Sequence, residues 1–296
     1  MRVVYSPRYH LDLGPHVFPT TKYRLVAEAV LRAGLVPDGF VEPVPATWDD
    51  LALVHAPAYL DALRAGTLSA EDIARLEIPC TPVLVEGFRF MTGGTLLAAE
   101  LALDGADRTA VHIGGGFHHA FAGHGEGFCV FNDVAVAIRR VFASRQAGSA
   151  AVIDLDVHQG NGTASIFAGD RRVFTASIHE AENYPYVKPP SALDVGLPRG
   201  TSDDEYLLHL DGVLARLLEQ LPDVVFYLAG ADPYMNDQLG RLRLSLDGLR
   251  RRDRRVFTAL RAAGVPVVVV LAGGYARQVE DTVAIHAATI AEAAVR

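Results

Sequence analysis

Short runs of apolar, mostly β-branched residues recur along this chain without alternating between apolar and polar positions. Ala151–Ile153 and Val267–Val270 are the clearest examples. A strand with one face in water alternates polar and apolar side chains, so an unbroken apolar strand must be buried on both faces. Such strands are typical of parallel sheets with helices on both sides. The pattern therefore favours an α/β architecture.

Longer segments with helical spacing separate these runs. Strands are predicted at Val3–Tyr5, Ala110–Ile113, Ala151–Leu155, Val173–Ser177, Val224–Leu228 and Val267–Leu271. Helices are predicted at Lys22–Ala33, Gly94–Leu103, Asn132–Ser144, Asp203–Leu221, Leu246–Ala263 and Gln278–Ala294. The alternation predicts a single doubly wound α/β domain over residues 1–296, with a mostly parallel central sheet flanked by helices.

The charge balance and the apolar stretches restrict the partners. The chain has 27 Lys and Arg against 35 Asp and Glu, a net charge of −8, whereas nucleic-acid binding needs a basic surface. The arginine cluster 250–255 is predicted to be a solvated helix face. The longest apolar stretch, Val265–Ala272, is far shorter than the ~20 residues that span a bilayer. We expect no nucleic-acid or membrane partner.

Cysteine usage and the N-terminal sequence bear on location. The two cysteines, Cys80 and Cys129, cannot form a disulfide framework, which favours a reducing compartment. The first residues show no secretory signal pattern. These features predict a cytoplasmic protein, and they leave the oligomeric state open.

Chemically reactive side chains follow four of the predicted strands, where ligands bind in open α/β sheets. Asp154, Asp156 and His158 occupy alternate positions at the end of one apolar strand, so they can project to the same side. Carboxylates and an imidazole form a partial ligand set for zinc or iron. The alternative is a helix-capping aspartate beside a buried histidine. It would bury three polar groups without partners, which is costly.

The other three segments are weaker when each is taken alone. Glycines 114–116 precede His118 and His119, and a neutral imidazole can act as a base near pH 7. Asp232 follows a strand and could complete a set of two aspartates and one histidine. Tyr275 follows two glycines, and a phenol can donate to a developing oxyanion.

Each of these segments also has a structural interpretation: a glycine turn with surface histidines, a turn aspartate before proline, or a tyrosine packed over the sheet. The combination is more specific. Three metal ligands leave a fourth position for water, and a histidine base with a phenol donor completes a plausible amide hydrolase.

Five motifs carry a resemblance to a known family. They are Gly114–His119, Gly127–Cys129 with Asn132–Asp133, Asp154–Gly162, Gly230–Asp232 and Gly273–Tyr275. In order and spacing they resemble the zinc-dependent histone deacetylase family, which has the arginase/deacetylase fold, over most of the chain. Four further segments resemble class IV and its bacterial relatives: Tyr5–Tyr9, His158–Gly162, Asp203–Tyr206 and Asp237–Gly240.

The resemblance implies a catalytic centre with one zinc ion per chain. The implied zinc ligands are Asp156, His158 and Asp232. His119 would act as general base and then as general acid. His118 would support it electrostatically and would be oriented by Asp154. Tyr275 would stabilise the tetrahedral oxyanion.

The resemblance also implies a substrate channel and a second cation. Gly127, Phe128 and Tyr184 would line a channel for an acyl-lysine side chain. A monovalent cation, K⁺ or Na⁺, would lie beside the zinc, at positions matching Asp154, Asp156, His158, Ser177 and Ile178.

The chain departs from the family pattern at three places, one of which is the short segment Glu180–Pro185 at the channel wall. Asn161 stands where class I members carry an acid behind the catalytic histidine. An amide orients the ring without adding negative charge, so we expect His119 to be a somewhat weaker base. Around Glu77–Thr81 no residue aligns with the rim aspartate that grips the substrate backbone in some members.

The leading interpretation is removal of acetyl or longer acyl groups from the ε-amine of lysine, so the expected partner is an acylated lysine side chain or a small acylated amine. An acetylpolyamine amidohydrolase is the alternative enzyme, but it needs acidic residues at the rim, and the sequence places none there. A two-manganese ureohydrolase needs more acidic ligands than Asp232 and its neighbours provide. A non-catalytic module that binds acyl-lysine would need neither His119 nor Tyr275.

Overall fold

A seven-stranded sheet forms the centre of the computed structural model, which describes residues 1–295. Its strands are β1 (Arg2–Val4), β2 (Thr109–His112), β3 (Ala150–Asp154), β4 (Val173–Glu180), β5 (Leu193–Leu197), β6 (Val224–Leu228) and β7 (Val267–Val270). The strand order is β1-β2-β7-β6-β3-β4-β5, and every neighbouring pair is parallel.

Helices cover both faces of the sheet. They are α1 (Thr21–Arg32), α2 (Trp48–Leu51), α3 (Pro57–Ala65), α4 (Ala70–Leu76), α5 (Pro82–Asp104), α6 (Asp133–Ala143), α7 (Asn161–Ile166), α8 (Asp203–Leu218), α9 (Leu246–Ala262) and α10 (Val279–Ala294). Within the described residues, no helix is both long and apolar enough to cross a membrane.

Two hydrophobic clusters lie on opposite faces of the sheet. Along β6, Val225 and Tyr227 belong to one cluster, while Val224, Phe226 and Leu228 belong to the other. Strands β2, β3, β6 and β7 are buried along their whole length. The α/β architecture predicted from unbroken apolar runs is therefore confirmed, with a sheet that is wholly parallel.

The differences from the predicted elements have physical causes. Strand β5 was not predicted because this edge strand is half exposed and its burial alternates. Helix α5 begins at Pro82, well before the predicted start at Gly94, and continues through two adjacent glycines that pack closely against their neighbours. A Cβ on Gly94 would lie 2.2 Å from His112 Nε2. Interpreting 250–255 as a solvated face was wrong for Arg252, which is fully buried.

Strand order brings the reactive segments together. Strands β2, β7, β6 and β3 are neighbours in the sheet, and all four end at the same edge. The four loops that follow them carry the residues singled out in the sequence. Ligands of open α/β sheets bind at this edge.

Candidate active site

Asp156, His158 and Asp232 form a buried group whose ligand atoms all lie within 4.8 Å of one another. Asp156 and His158 follow β3, and Asp232 follows the adjacent strand β6. His158 Nδ1 lies 3.0 Å from Asp156 Oδ1 and 3.5 Å from Asp232 Oδ2. The structure thus assembles the three predicted ligands.

The donor atoms of this group fit a divalent metal ion. Asp232 Oδ1 accepts a hydrogen bond from Val157 N, but Asp232 Oδ2 is buried without a hydrogen-bond partner among the described residues. A Cβ on Gly273 would lie 2.0 Å from that orphaned oxygen and 2.5 Å from Asp156 Oδ2. A buried carboxylate oxygen is costly unless it binds something, and a cation satisfies it.

The electrostatics show that the group is short of positive charge. Burial alone would lower the pKa of His158, but its hydrogen bond to Asp156 and the charges of Asp156 and Asp232 raise it to about 10. Burial and the charge of Asp156 raise the pKa of Asp232 to about 7. Two carboxylates thus compete for one imidazolium. A bound metal ion would supply the missing charge.

His118 and His119 lie on the loop after β2, and Asp133 at the start of α6 holds this loop in place. The carboxylate of Asp133 accepts hydrogen bonds from Gly116 N at 3.0 Å and Phe117 N at 2.8 Å. Gly116 has a φ of 84°, in the left-handed region that favours glycine. Both imidazoles therefore have fixed positions beside the metal-ligand group.

The two histidines have opposite charge preferences. His118 Nδ1 lies 2.7 Å from Asp154 Oδ2, so the predicted pair is formed. Burial would lower the pKa of His118, but the charges of Asp154 and Asp156 raise it to about 9. Burial and the charges of His118 and His158 hold the pKa of His119 well below its usual value. His119 is therefore the neutral member of the pair.

Asn161, the first residue of α7, defines the tautomer of His119. Its Oδ1 lies 2.7 Å from His119 Nδ1. An amide oxygen only accepts hydrogen bonds, so His119 carries its proton on Nδ1 and keeps the lone pair on Nε2. That nitrogen lies 3.1 Å from His118 Nε2.

Tyr275 enters the same cavity from the loop after β7. Its backbone N–H donates to Asp237 Oδ2 at 2.7 Å. Its ring lies edge-on to Phe18 and Phe128, with centroids 6.3 and 6.1 Å away. Burial, with the charges of Asp156 and Asp232, raises the pKa of its phenol well above the usual value. The hydroxyl therefore stays protonated and can donate a hydrogen bond.

A cavity of about 200 Å³ joins the histidines, Asp156 and Tyr275 to the surface. The predicted channel residues Gly127, Phe128 and Tyr184 all line it. The Tyr184 ring lies edge-on to His119, with centroids 5.0 Å apart. A Cβ on Gly127 would lie 2.9 Å from His119 Cδ2, so this wall can approach the imidazole only as glycine.

The residues predicted to hold a monovalent cation are also neighbours. Asp154 on β3 pairs in register with Ser177 on β4, and Ile178 follows Ser177. Asp154 Oδ1 accepts from Asp156 N at 3.2 Å, and Ser177 Oγ lies 2.9 Å from His179 Nδ1. Cation binding at these residues stays a prediction.

Two acidic residues, one lining the cavity and one behind its wall, were missed in the sequence. Glu77 lines the cavity and is exposed, which corrects the expectation that no acid lies at the rim. It ends α4 in a left-handed conformation, with φ 57°, and no spacing rule predicts that placement. Glu126 accepts hydrogen bonds from Asn161 and Tyr184. The only signal for Glu126 was its position directly before Gly127 and Phe128.

Fold and site together define the class of this protein: a parallel α/β protein with a candidate hydrolytic metal centre at the carboxyl edge of its sheet. A family model described as the histone deacetylase domain matches residues 16–290. The chain therefore belongs to the histone deacetylase family, and that membership supports a hydrolase.

Relatives match along nearly the whole chain. An uncharacterized protein of a Picosynechococcus strain is 42% identical over 287 residues, which cover 96% of this chain and 95% of that protein. Histone deacetylase 2 of Arabidopsis thaliana is 34% identical and is matched over 95% of this chain and 77% of its own length. The solved HDA15 HD domain has a TM-score of 0.80 at 23% identity, over 98% of this chain and 90% of that one. This last likeness shows the shared fold.

Proposed function

We propose that this protein is a zinc-dependent hydrolase that removes acetyl or longer acyl groups from the ε-amine of lysine. The observation that carries the proposal is the orphaned oxygen of Asp232, which groups with Asp156 and His158. The last two residues line a cavity together with His119 and Tyr275. The three ligands would hold the zinc ion. When bound, zinc would polarise the acyl carbonyl and lower the pKa of a bound water.

The remaining residues would supply proton transfer and oxyanion stabilisation. His119 Nε2, the unprotonated nitrogen of a neutral ring, would take the proton of the attacking water and return it to the departing amine. His118, oriented by Asp154, would support His119 electrostatically by holding it neutral before the proton transfer. The phenol of Tyr275 would donate to the oxyanion of the tetrahedral intermediate.

The channel suits the stem of an acylated lysine. Phe128 stacks on Phe18 with centroids 6.1 Å apart and forms one wall, while Tyr184 forms another. Four methylenes between such walls would gain roughly 0.8 kcal/mol for each one removed from water. The foot of the channel would admit acyl groups that fit beside Tyr275.

Two further assignments belong to the same proposal. K⁺ or Na⁺ would bind at Asp154, Asp156, His158, Ser177 and Ile178, as the family resemblance implies. A cytoplasmic location is consistent with the two free cysteines, Cys80 and Cys129.

Acetylpolyamine hydrolysis is the second candidate, and Glu77 is the observation that favours it. Its exposed carboxylate at the cavity would attract an ammonium group of a bound polyamine. A polyamine has several ammonium groups, and the single carboxylate of Glu77 can pair with only one of them. We therefore rank this activity below lysine deacylation.

A substrate panel on one zinc-loaded preparation tests the choice. We expect kcat/KM to be higher for acetyl-lysine or long-chain acyl-lysine peptides than for acetylspermidine. A Glu77→Gln variant should leave the order unchanged. A clear preference for acetylspermidine that disappears in Glu77→Gln would establish the polyamine alternative instead.

A further inference from the structure

Glu126 lies directly behind the amide that contacts the candidate catalytic base. Asn161 Oδ1 lies 2.7 Å from His119 Nδ1, and Asn161 Nδ2 donates to Glu126 Oε1 at 2.7 Å. The amide therefore connects an imidazole on one side with a carboxylate on the other. Glu126, which has no role in the mechanism proposed above, is therefore linked to His119 by two hydrogen bonds through Asn161.

The backbone fixes Glu126 at this position. Glu126 and Cys129 exchange both backbone hydrogen bonds, at 3.1 and 2.9 Å, across a two-residue turn. Both turn residues, Gly127 and Phe128, have positive φ values, 51° and 68°, as a type I′ turn requires. A non-glycine residue in this region costs energy and persists where the surrounding structure holds it. The backbone that carries the carboxylate of Glu126 therefore has a defined conformation.

The surroundings of Glu126 favour its ionised form. Tyr184 donates its hydroxyl to the same Oε1 at 2.8 Å, and His124 Nε2 lies 3.3 Å from Oε2. Partial burial raises the pKa of Glu126, but hydrogen bonds from His124, Tyr184 and Asn161 outweigh burial and lower it. An ionised carboxylate accepts hydrogen bonds and cannot donate them.

An acceptor at this position determines which way the amide faces. If the amide of Asn161 were reversed, its NH₂ group would face His119 Nδ1 and its oxygen would face the carboxylate. His119 would then need its lone pair on Nδ1 and its proton on Nε2, the nitrogen that must accept a proton. The carboxylate of Glu126 disfavours this arrangement by repelling an amide oxygen.

We propose that Glu126 is a positioning residue that acts on His119 through Asn161: it fixes the orientation of the amide and supplies, one residue further away, the negative charge that the amide lacks. This assignment rests on the proposed function. It also revises the expectation that Asn161 leaves His119 without a supporting charge.

The first test is the isosteric variant Glu126→Gln, which keeps the shape and removes the charge. We expect kcat for an acetyl-lysine peptide to fall about tenfold with KM changed less than about twofold, a part of the 10²–10⁴ range of general acid–base catalysis. Glu182→Gln is the matched control, because Glu182 is an exposed acid near the same cavity wall. It should leave both constants unchanged.

A charge swap separates this role from a structural one. Asn161→Asp alone would place two carboxylates at a hydrogen-bonding distance, and we expect low activity. Combining Asn161→Asp with Glu126→Gln restores one carboxylate and one amide, with the charge now adjacent to His119. We expect the double variant to recover kcat to within about threefold of the parent. A double variant no better than the worse single variant would overturn the inference.

A second readout needs neither metal nor activity. In ¹⁵N NMR spectra of the metal-free protein, His119 should be protonated on Nδ1 in the parent and should become a mixture of tautomers in Glu126→Gln. An unchanged tautomer together with an unchanged kcat in Glu126→Gln would contradict the role of Glu126 and leave the proposed function intact. An inactive zinc-loaded parent would contradict the proposed function. In that case the His119 tautomer, compared between the parent and Glu126→Gln, would still test the role of Glu126.

Discussion

At the scale of single residues, the site depends on which atoms of each side chain are already engaged. Asp232 uses one carboxylate oxygen in a hydrogen bond and leaves the other unpartnered within the described chain. His119 Nδ1 contacts Asn161 Oδ1, and its Nε2, the nitrogen with the lone pair, lies 3.1 Å from His118 Nε2. An unpartnered carboxylate oxygen in the metal-ligand group, close to a neutral imidazole, fits hydrolysis better than binding alone.

Tyr275→Phe tests the role of the phenol. Phenylalanine keeps the ring contacts with Phe18 and Phe128 and removes only the hydroxyl, so Tm and zinc content should not change. Loss of one oxyanion donor should lower kcat by ~10²–10³. Steady-state kinetics, zinc analysis and thermal unfolding on the same preparation make the comparison. A variant within about twofold of the parent rate would show that the hydroxyl has another role.

Residues that follow strands could be grouped from the sequence alone, whereas the two acids Glu77 and Glu126, which loops bring to the site, could not. Asp154, Asp156 and His158 could be predicted together because alternate positions of an extended chain share a side. Glu126 lies 35 residues before its partner Asn161, and the contact exists only because a tight turn and the start of α7 meet. Local sequence patterns do not predict a contact between two loops that are distant along the chain.

At the scale of elements, a side chain of helix α9 binds the two loops that carry the candidate metal ligands. Arg252 Nη1 donates to the carbonyl oxygens of Gly230 at 2.6 Å and Leu155 at 3.4 Å. Leu155 separates Asp154 from Asp156, and Gly230 lies two residues before Asp232. One buried guanidinium thus connects the loop after β3 to the loop after β6. Its charge is balanced by Asp253, whose Oδ1 accepts from Arg252 Nε at 2.8 Å.

Arg252→Met tests this connection. It would leave the Asp253 carboxylate buried without its cation, and breaking a buried pair in this way costs roughly 3–5 kcal/mol. Arg251→Met is the matched control on the same helix, because its partner Asp204 is largely exposed and such pairs contribute at most about 1 kcal/mol. The free energy of unfolding in urea measures both. A loss below about 1 kcal/mol in Arg252→Met would contradict the assigned role.

Helices and strands could be predicted where their burial produces a recognisable pattern of apolar residues in the sequence. Strands β3, β6 and β7 were predictable because both faces are buried and their sequences are unbroken apolar runs. Strand β5 escaped because one face is open. The buried arginine of α9 escaped because a cluster of like charges normally lies in solvent. The carboxylate of Asp253 and the carbonyls of two distant loops make its burial favourable.

At the scale of the whole molecule, the site exists only when the sheet is complete. Its residues come from four loops that are far apart along the chain and adjacent only through the order β2-β7-β6-β3. The sequence indicated which strands carry reactive residues. It could not indicate their order, because pairing between distant strands is decided by packing on both faces and leaves no local pattern.

The central claim is that a metal ion held by Asp156, His158 and Asp232 drives removal of an acyl group from lysine. The most direct measurement is acetate release from an acetyl-lysine peptide by metal-free protein titrated with zinc. We predict that activity rises to a plateau at about one zinc per chain, and that Asp232→Asn loses most of both zinc and activity because an amide is a poor ligand. Metal-free protein as active as the zinc-loaded form, or an Asp232→Asn variant with full zinc and full activity, would contradict the claim.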